Sequence, residues 1–146
     1  MHLNAIYQLL IILVSLLSLN NITAKAAELT VEVESDSTDG NIGCALFSNP
    51  NGFPMDSAGA IQQFSQNTPT GTTFVFSNLK SGKYAVSVMN DQNGNKLLDK
   101  NLLGIPKEEW GVSNNIRPTL RAPKFEEALF EVNEKSDLTL KIRIQK

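Results

Sequence analysis

The chain has 146 residues and a formal net charge of −2, from 15 acidic and 13 basic side chains. The charges are scattered, and no basic patch could follow a phosphate backbone, which argues against nucleic acid as a partner. Cys44 is the only cysteine, so no disulfide can form within the chain and stability must come from the hydrophobic core. Because Cys44 lies in an apolar run, we expect a buried small hydrophobe rather than a reactive thiol.

The first 26 residues have the pattern of a secretory signal. Residues 5–19 form an almost unbroken apolar run, and Ala24-Lys25-Ala26 fits the small-x-small rule for cleavage. The run is shorter than the roughly 20 residues of a membrane span. We therefore predict a signal peptide at residues 1–26, a single domain at 27–146 and a periplasmic or secreted location, without stable membrane insertion after cleavage. An uncleaved N-terminal anchor is the alternative.

Alternation of apolar and polar residues dominates the first part of the domain. Leu29, Val31 and Val33 alternate with polar residues and predict a half-buried strand. A polar turn at 36–41 separates it from a more fully buried strand at 42–48. These two strands are expected to form an antiparallel hairpin.

Turn-forming residues at 49–54 follow these strands. The pattern of the next segment, residues 56–66, fits more than one secondary structure. Asp56 or Ser57 could cap a short helical turn, and residues 61–66 either continue that turn or form an edge strand. After a turn at 68–71, alternation predicts strands at 72–77, 84–89, 128–132 and 138–144. About seven short strands with turns between them predict an all-β domain, a single antiparallel β-sandwich.

The connection over residues 96–125 is longer than the roughly 12–15 residues usual for an unstructured loop. It carries too many large apolar side chains for a disordered linker, so we expect one long ordered loop. Such a loop needs partners for its backbone polar groups.

Oxygen-bearing residues at the start of this loop recur at the spacing of a calcium-binding loop. Side-chain oxygens, together with one backbone carbonyl, would come from Asp91, Asn93, Asn95, Leu97 and Asp99. With two carboxylates the predicted Ca²⁺ affinity is weak, on the order of 10⁻⁴–10⁻³ M.

The match to an EF-hand-type loop is partial. Lys96 stands where that loop has Gly, and Leu102 stands where it has a bidentate Glu. Glu108 or Glu109 could supply the missing carboxylate. A metal-free turn built on Asn93-Gly94 is the alternative.

Trp110, Asn114 and Asn115 form a second candidate site, for an unknown protein or glycan. An exposed indole beside side-chain amides could hold a sugar ring or a peptide. Alternatively, Trp110 fastens the loop to the sandwich, and the two amides bind local backbone.

The chain resembles the bacterial family catalogued as domain of unknown function 2141. The segments that carry the resemblance are GKYAV at 82–86, DQNGNKLLD at 91–99, LGIP at 103–106 and WGVSNN at 110–115. The resemblance covers about residues 29–144 and implies a small exported protein with an immunoglobulin-like or prealbumin-like sandwich. It implies no activity. Lys96 falls where members often have Gly, and Val112 replaces a common Phe.

Enzymatic function is disfavoured because the only histidine, His2, lies in the predicted signal. Without it the domain has no imidazole base, no Ser–His or Cys–His pair and no imidazole-ligated zinc. A two-carboxylate hydrolase is conceivable, but nothing marks such a pair. The sequence therefore predicts a non-enzymatic binding module with a Ca²⁺-ordered loop. The alternative is a structural or assembly subunit of the cell envelope, with a metal-free turn at 91–99.

Overall fold

The computed structural model describes residues 26–67 and 72–146, which form two β-sheets with the hydrophobic core between them. The strands are β1 (Ala27–Glu34), β2 (Asn41–Phe47), β3 (Gln62–Gln66), β4 (Thr72–Leu79), β5 (Gly82–Asp91), β6 (Trp110–Val112), β7 (Phe130–Val132) and β8 (Leu138–Arg143). Short 3-10 turns occupy Ser57–Gly59, Ser113–Asn115 and Phe125–Glu127. Apart from Ala26, the predicted signal lies outside the described residues, as does the turn predicted at 68–71. Within the described part, no helix has the length and apolar character needed to cross a bilayer.

The predicted all-β sandwich is confirmed. One sheet has the strand order β4-β1-β8, and the other has the order β3-β2-β5-β6, with β7 pairing to β5. The described residues thus form eight strands, where about seven were expected. The expectation of purely antiparallel pairing is wrong for β1 and β8, which run parallel. Parallel neighbours require a crossover, and the chain does enter β8 from β7, which belongs to the other sheet.

The predicted hairpin of β1 and β2 is also wrong, because the two strands lie in different sheets. Residues 35–40 cross between the sheets. Gly40 is required in this crossing because its φ is 110° and an added Cβ would lie 2.0 Å from Asn90 Oδ1. This crossing differs from an immunoglobulin constant domain, in which the first two strands share a sheet.

The core between the sheets is built from alternating residues of six strands, as the period-two pattern predicts. Its largest fully buried side chains include Leu29, Val31, Ile42, Leu46, Phe74, Phe76, Val86, Val88, Ile142 and Ile144. Burial of each such side chain stabilises the fold by about 1.5–3 kcal/mol. Cys44 belongs to this core, and burial raises the pKa of its thiol well above the ordinary value. The prediction of a buried cysteine is confirmed.

The structure resolves the two ambiguous segments. Asp56 caps the first 3-10 turn, accepting a hydrogen bond from Ala58 N at 2.9 Å, and the segment after it forms the edge strand β3. The long loop is interrupted by β6, which pairs with β5. Gly111 lets β6 approach the end of β8 closely, because an added Cβ would lie 2.7 Å from the Arg143 carbonyl oxygen. A second apolar cluster includes Ala85, Trp110, Val112 and Ala128, with Leu98 and Phe125 packed against it.

Candidate functional site

Asp91 ends β5 and organises the loop that follows. Only 5% of the residue is exposed. Its Oδ1 accepts hydrogen bonds from the backbone N–H groups of Gly94 at 2.8 Å and Asn95 at 3.1 Å, and its Oδ2 accepts one from Lys96 N at 2.8 Å. Hydrogen bonds to a charged acceptor are stronger than neutral ones. The Asp91 carboxylate therefore folds the next five residues around itself.

Asp99 closes the same loop from its other end. Its carboxylate oxygens accept hydrogen bonds from Asn93 Nδ2 at 2.6 Å and from Asn95 Nδ2 at 3.1 Å. The oxygens of these amides in turn accept backbone N–H groups: Asn95 N binds Asn93 Oδ1 at 3.1 Å, and Leu97 N binds Asn95 Oδ1 at 2.8 Å. The loop thus links all five residues predicted as metal ligands through a single hydrogen-bond network.

Lys96 adopts a left-handed backbone with a φ of 63°. This conformation strains residues with a Cβ. It occurs at the sixth position of the loop, where an EF-hand-type loop has its invariant Gly. The backbone therefore turns sharply at that position although the sequence departs from the pattern.

Glu108 is a buried side chain whose role in the loop the sequence did not reveal. It is 3% exposed, and its Oε1 and Oε2 accept hydrogen bonds from Gln92 N at 2.8 Å and Asp99 N at 3.0 Å. Glu108 thereby ties the two ends of the loop together. Glu109 forms other contacts, accepting hydrogen bonds from Ser35 Oγ at 2.6 Å and Asn90 Nδ2 at 3.4 Å. The sequence signal for these roles was the pair of adjacent acids, Glu108 and Glu109, directly before β6.

The donor set is one of hard oxygens, which suits Ca²⁺ and not a soft metal. Across residues 26–67 and 72–146, no group of three or more His, Cys, Asp or Glu side chains could hold a metal ion. A cation here would therefore depend on Asp91 and Asp99 together with the neutral oxygens of Asn93, Asn95 and the Leu97 carbonyl. With only two carboxylates among its ligands, such a site would bind Ca²⁺ weakly.

A groove of about 370 Å³ lies over the five-stranded sheet, beside the loop. Its floor includes small residues of three neighbouring strands: Gly43, Ala45, Ser65 and Ser87. Its walls include Pro54 and Met55 as well as Asp91 and Lys96 from the loop. The hydrogen bond from Ser87 Oγ to the Pro54 carbonyl, at 2.7 Å, fixes one wall. The volume is within the range of small-molecule sites.

Trp110, Asn114 and Asn115 form mainly structural contacts. Trp110 is 8% exposed, and the Arg117 guanidinium lies 4.4 Å from its ring centroid. Asn114 Nδ2 donates to the carbonyls of Glu127 and Leu129, and Asn115 bridges the Lys141 carbonyl and Arg143 N. Both asparagines have positive φ. A ligand would therefore meet little free indole surface and two amides that are already engaged.

Comparisons with known proteins give one family. No curated protein and no solved structure matches the chain significantly. A family described as uncharacterized protein conserved in bacteria (DUF2141) matches residues 31–140, a span that includes the loop, the groove and most of the sandwich. This match covers well over half of the 146 residues, and the chain belongs to the DUF2141 family.

Proposed function

We propose that this chain is an exported, non-enzymatic binding module, periplasmic or secreted, whose groove holds a small ligand and whose 91–99 loop is ordered by Ca²⁺. The observation that carries the proposal is the position of the loop. Asp91 and Lys96 belong to the loop and also line the groove. A cation that fixes the loop would therefore fix one wall of the ligand site.

The side chains available for catalysis support a binding role. The only histidine is His2. The Cys44 thiol is buried, and its raised pKa disfavours the thiolate that a nucleophile would need. Glu108 and Glu109, the two buried glutamates near the loop, accept hydrogen bonds from the protein's own groups.

Thermal melting in calcium and in chelator tests the metal. A ligand that binds only the folded state stabilises it by mass action, so Ca²⁺ at several times its Kd should add on the order of 1 kcal/mol and raise Tm by about 3–5 °C. Asp99→Asn should remove most of this response. Asp39→Asn is the control, because the Asp39 carboxylate lies outside the loop and, within the described part of the chain, accepts a hydrogen bond from Ser37 Oγ alone. Identical native melting curves in calcium and in chelator would eliminate Ca²⁺.

The second candidate is a structural subunit of the cell envelope with a metal-free turn. It is favoured by the observation that every side-chain oxygen of Asp91, Asn93, Asn95 and Asp99 already accepts an N–H within the loop. Light scattering would detect the self-assembly that such a subunit requires.

The two edges of the three-stranded sheet argue against strand addition at that sheet. The side chain of Asn115 binds the backbone of the edge strand β8, at the Lys141 carbonyl and Arg143 N. Gln62 and Gln66 donate to carbonyls of the edge strand β4, at 3.1 Å each. An added strand would need these same backbone groups. Both ends of the three-stranded sheet are thus partly occupied, which supports the binding module over the subunit.

A further inference from the structure

The outer end of the long loop is a small turn held by its own hydrogen bonds, which we name the leucine tip (residues 100–106). Lys100 and Pro106 pair as an isolated antiparallel bridge. Asn101 N donates to the Ile105 carbonyl, and Gly104 N donates to the Asn101 carbonyl, both at 2.9 Å. Asn101 Oδ1 also accepts hydrogen bonds from the backbone of the tip, at 2.9 and 3.0 Å. The tip is therefore a built structure and not an unstructured excursion.

This turn presents large aliphatic side chains to water. Leu102 is 106% exposed and Leu103 is 83% exposed, and both lie within the turn. Ile105 and the nearby Leu97 are 55% and 63% exposed. Single exposed aliphatic residues need no explanation, but a contiguous group on an ordered turn indicates an interaction site.

Positive charge accompanies the apolar group. Lys96, Lys100 and Lys107 lie immediately before, within and immediately after the exposed run, and none of them forms a salt bridge among the described residues. The neighbouring carboxylates of Asp99 and Glu108 bind N–H groups of the loop and not these lysines. The tip therefore combines an aliphatic end with ammonium groups that form no direct ion pair within the described part of the chain.

We propose that the leucine tip docks the domain on an anionic lipid surface, with Leu102 and Leu103 entering the boundary between headgroups and acyl chains and the three lysines contacting headgroup phosphates. Aliphatic residues next to lysines suit an interfacial anchor. A protein partner fits less well, because protein interfaces are enriched in aromatic residues and Arg, and depleted in Lys. The tip has neither an aromatic residue nor Arg. Such docking is peripheral and reversible, and it requires neither calcium nor an occupied groove.

Vesicle co-sedimentation tests the proposal, with residues 27–146, which contain the described core. The measurement compares phosphatidylcholine vesicles with vesicles that also contain phosphatidylglycerol, in chelator so that calcium plays no part. Binding is expected only with the anionic lipid and should weaken as salt is raised. Each of Leu102→Ser and Leu103→Ser should weaken binding by about tenfold. Each Lys→Gln change at the three lysines should weaken it by about fivefold.

Leu120 provides the matched control. It is 96% exposed but lies outside the tip, so Leu120→Ser should leave vesicle binding unchanged. Because all three leucines are exposed, replacing any of them with Ser should not lower Tm. An unchanged Tm then distinguishes a loss of docking from a loss of folding. Absence of binding, equal binding to both vesicle types, or undiminished binding of the Leu102→Ser, Leu103→Ser double variant would each overturn the proposal. So would a tip-dependent association with another protein that occurs without vesicle binding.

Discussion

Glu108 joins the two ends of the 91–99 loop, so its removal should weaken the fold more than the removal of an ordinary surface acid. The Glu108 carboxylate accepts Gln92 N and Asp99 N, and the residue is 3% exposed. Glu108→Ala deletes both contacts and leaves two backbone donors without their acceptor. Glu108→Gln keeps the shape but offers an oxygen to only one of the two donors.

The magnitude follows from the hydrogen bonds. A bond to a charged group contributes about 1.5–3 kcal/mol, so two contribute about 3–6 kcal/mol. Part of this is offset, because Glu108→Ala also removes the cost of burying a carboxylate and because Gln92 and Asp99 lie near enough to the surface for water to bind the freed N–H groups. We expect a net loss of about 2–3 kcal/mol for Glu108→Ala and about half of that for Glu108→Gln.

Urea unfolding followed by Trp110 fluorescence measures this loss, because the indole is buried next to the loop. Glu126→Ala is the matched control. Glu126 is exposed, and we expect its removal to change the unfolding free energy by less than about 0.5 kcal/mol. If Glu108→Ala costs less than about 1 kcal/mol, or if Glu108→Gln is as stable as the native chain, Glu108 does not hold the loop.

Three further outcomes can be checked. Lys96→Gly should raise the unfolding free energy by about 0.5–1 kcal/mol, since it relieves a φ of 63°, whereas Lys107→Gly, at a position without positive φ, should lower it. The hydrogen bond from Arg121 holds the pKa of Glu127 at about 2, below its ordinary 4.5. Its stabilising effect is therefore present above pH 4.5 and lost as the pH falls toward 2, and NMR titration should show Arg121→Gln raising this pKa. Asn115→Ala should cost about 1–2 kcal/mol and, by exposing the edge of β8, produce concentration-dependent association in light scattering.

The individual strands could be predicted because burial imposes a period of two on the sequence. The alternation of Leu29, Val31 and Val33 corresponds to β1, with all three side chains buried. Phe74 and Phe76 likewise enter the core from β4. Such a pattern predicts which face of a strand is buried, and these side chains are buried in the structure.

Strand pairing could not be predicted in the same way. Leu29 lies opposite Phe76 on one side and Leu138 on the other, and neither neighbour is close to it in sequence. A strand can bury its apolar face equally well in either sheet, so alternation does not determine which strand it pairs with. The predicted hairpin of β1 and β2 was wrong for this reason. Strand β6 was missed because Trp110, Gly111 and Val112 are too few to display a period.

The spacing of the oxygen-bearing residues identified the 91–99 loop, but it did not determine whether they bind a cation. Side-chain oxygens at alternate positions can converge on a cation, and they can equally accept the backbone N–H groups that a tight turn leaves free. Asp91, Asn93 and Asn95 form contacts of the second kind. Both interpretations use the same residue types at the same positions. A substitution that changes the charge of the loop can distinguish them, because a cation and a metal-free turn respond to it differently.

Asn95→Asp supplies that change. In a metal-free turn the substitution replaces the Nδ2 donor, 3.1 Å from Asp99 Oδ1, with a second carboxylate. The lost hydrogen bond and the repulsion should lower stability by about 1–2 kcal/mol, with or without calcium. In a Ca²⁺-ordered loop the additional charge strengthens the site. The variant would then be destabilised in chelator but should recover at millimolar Ca²⁺, with a larger rise in Tm than the native chain. A calcium titration of Tm for both proteins tells the two loops apart, and equal destabilisation of the variant in calcium and in chelator would assign the loop to the metal-free turn.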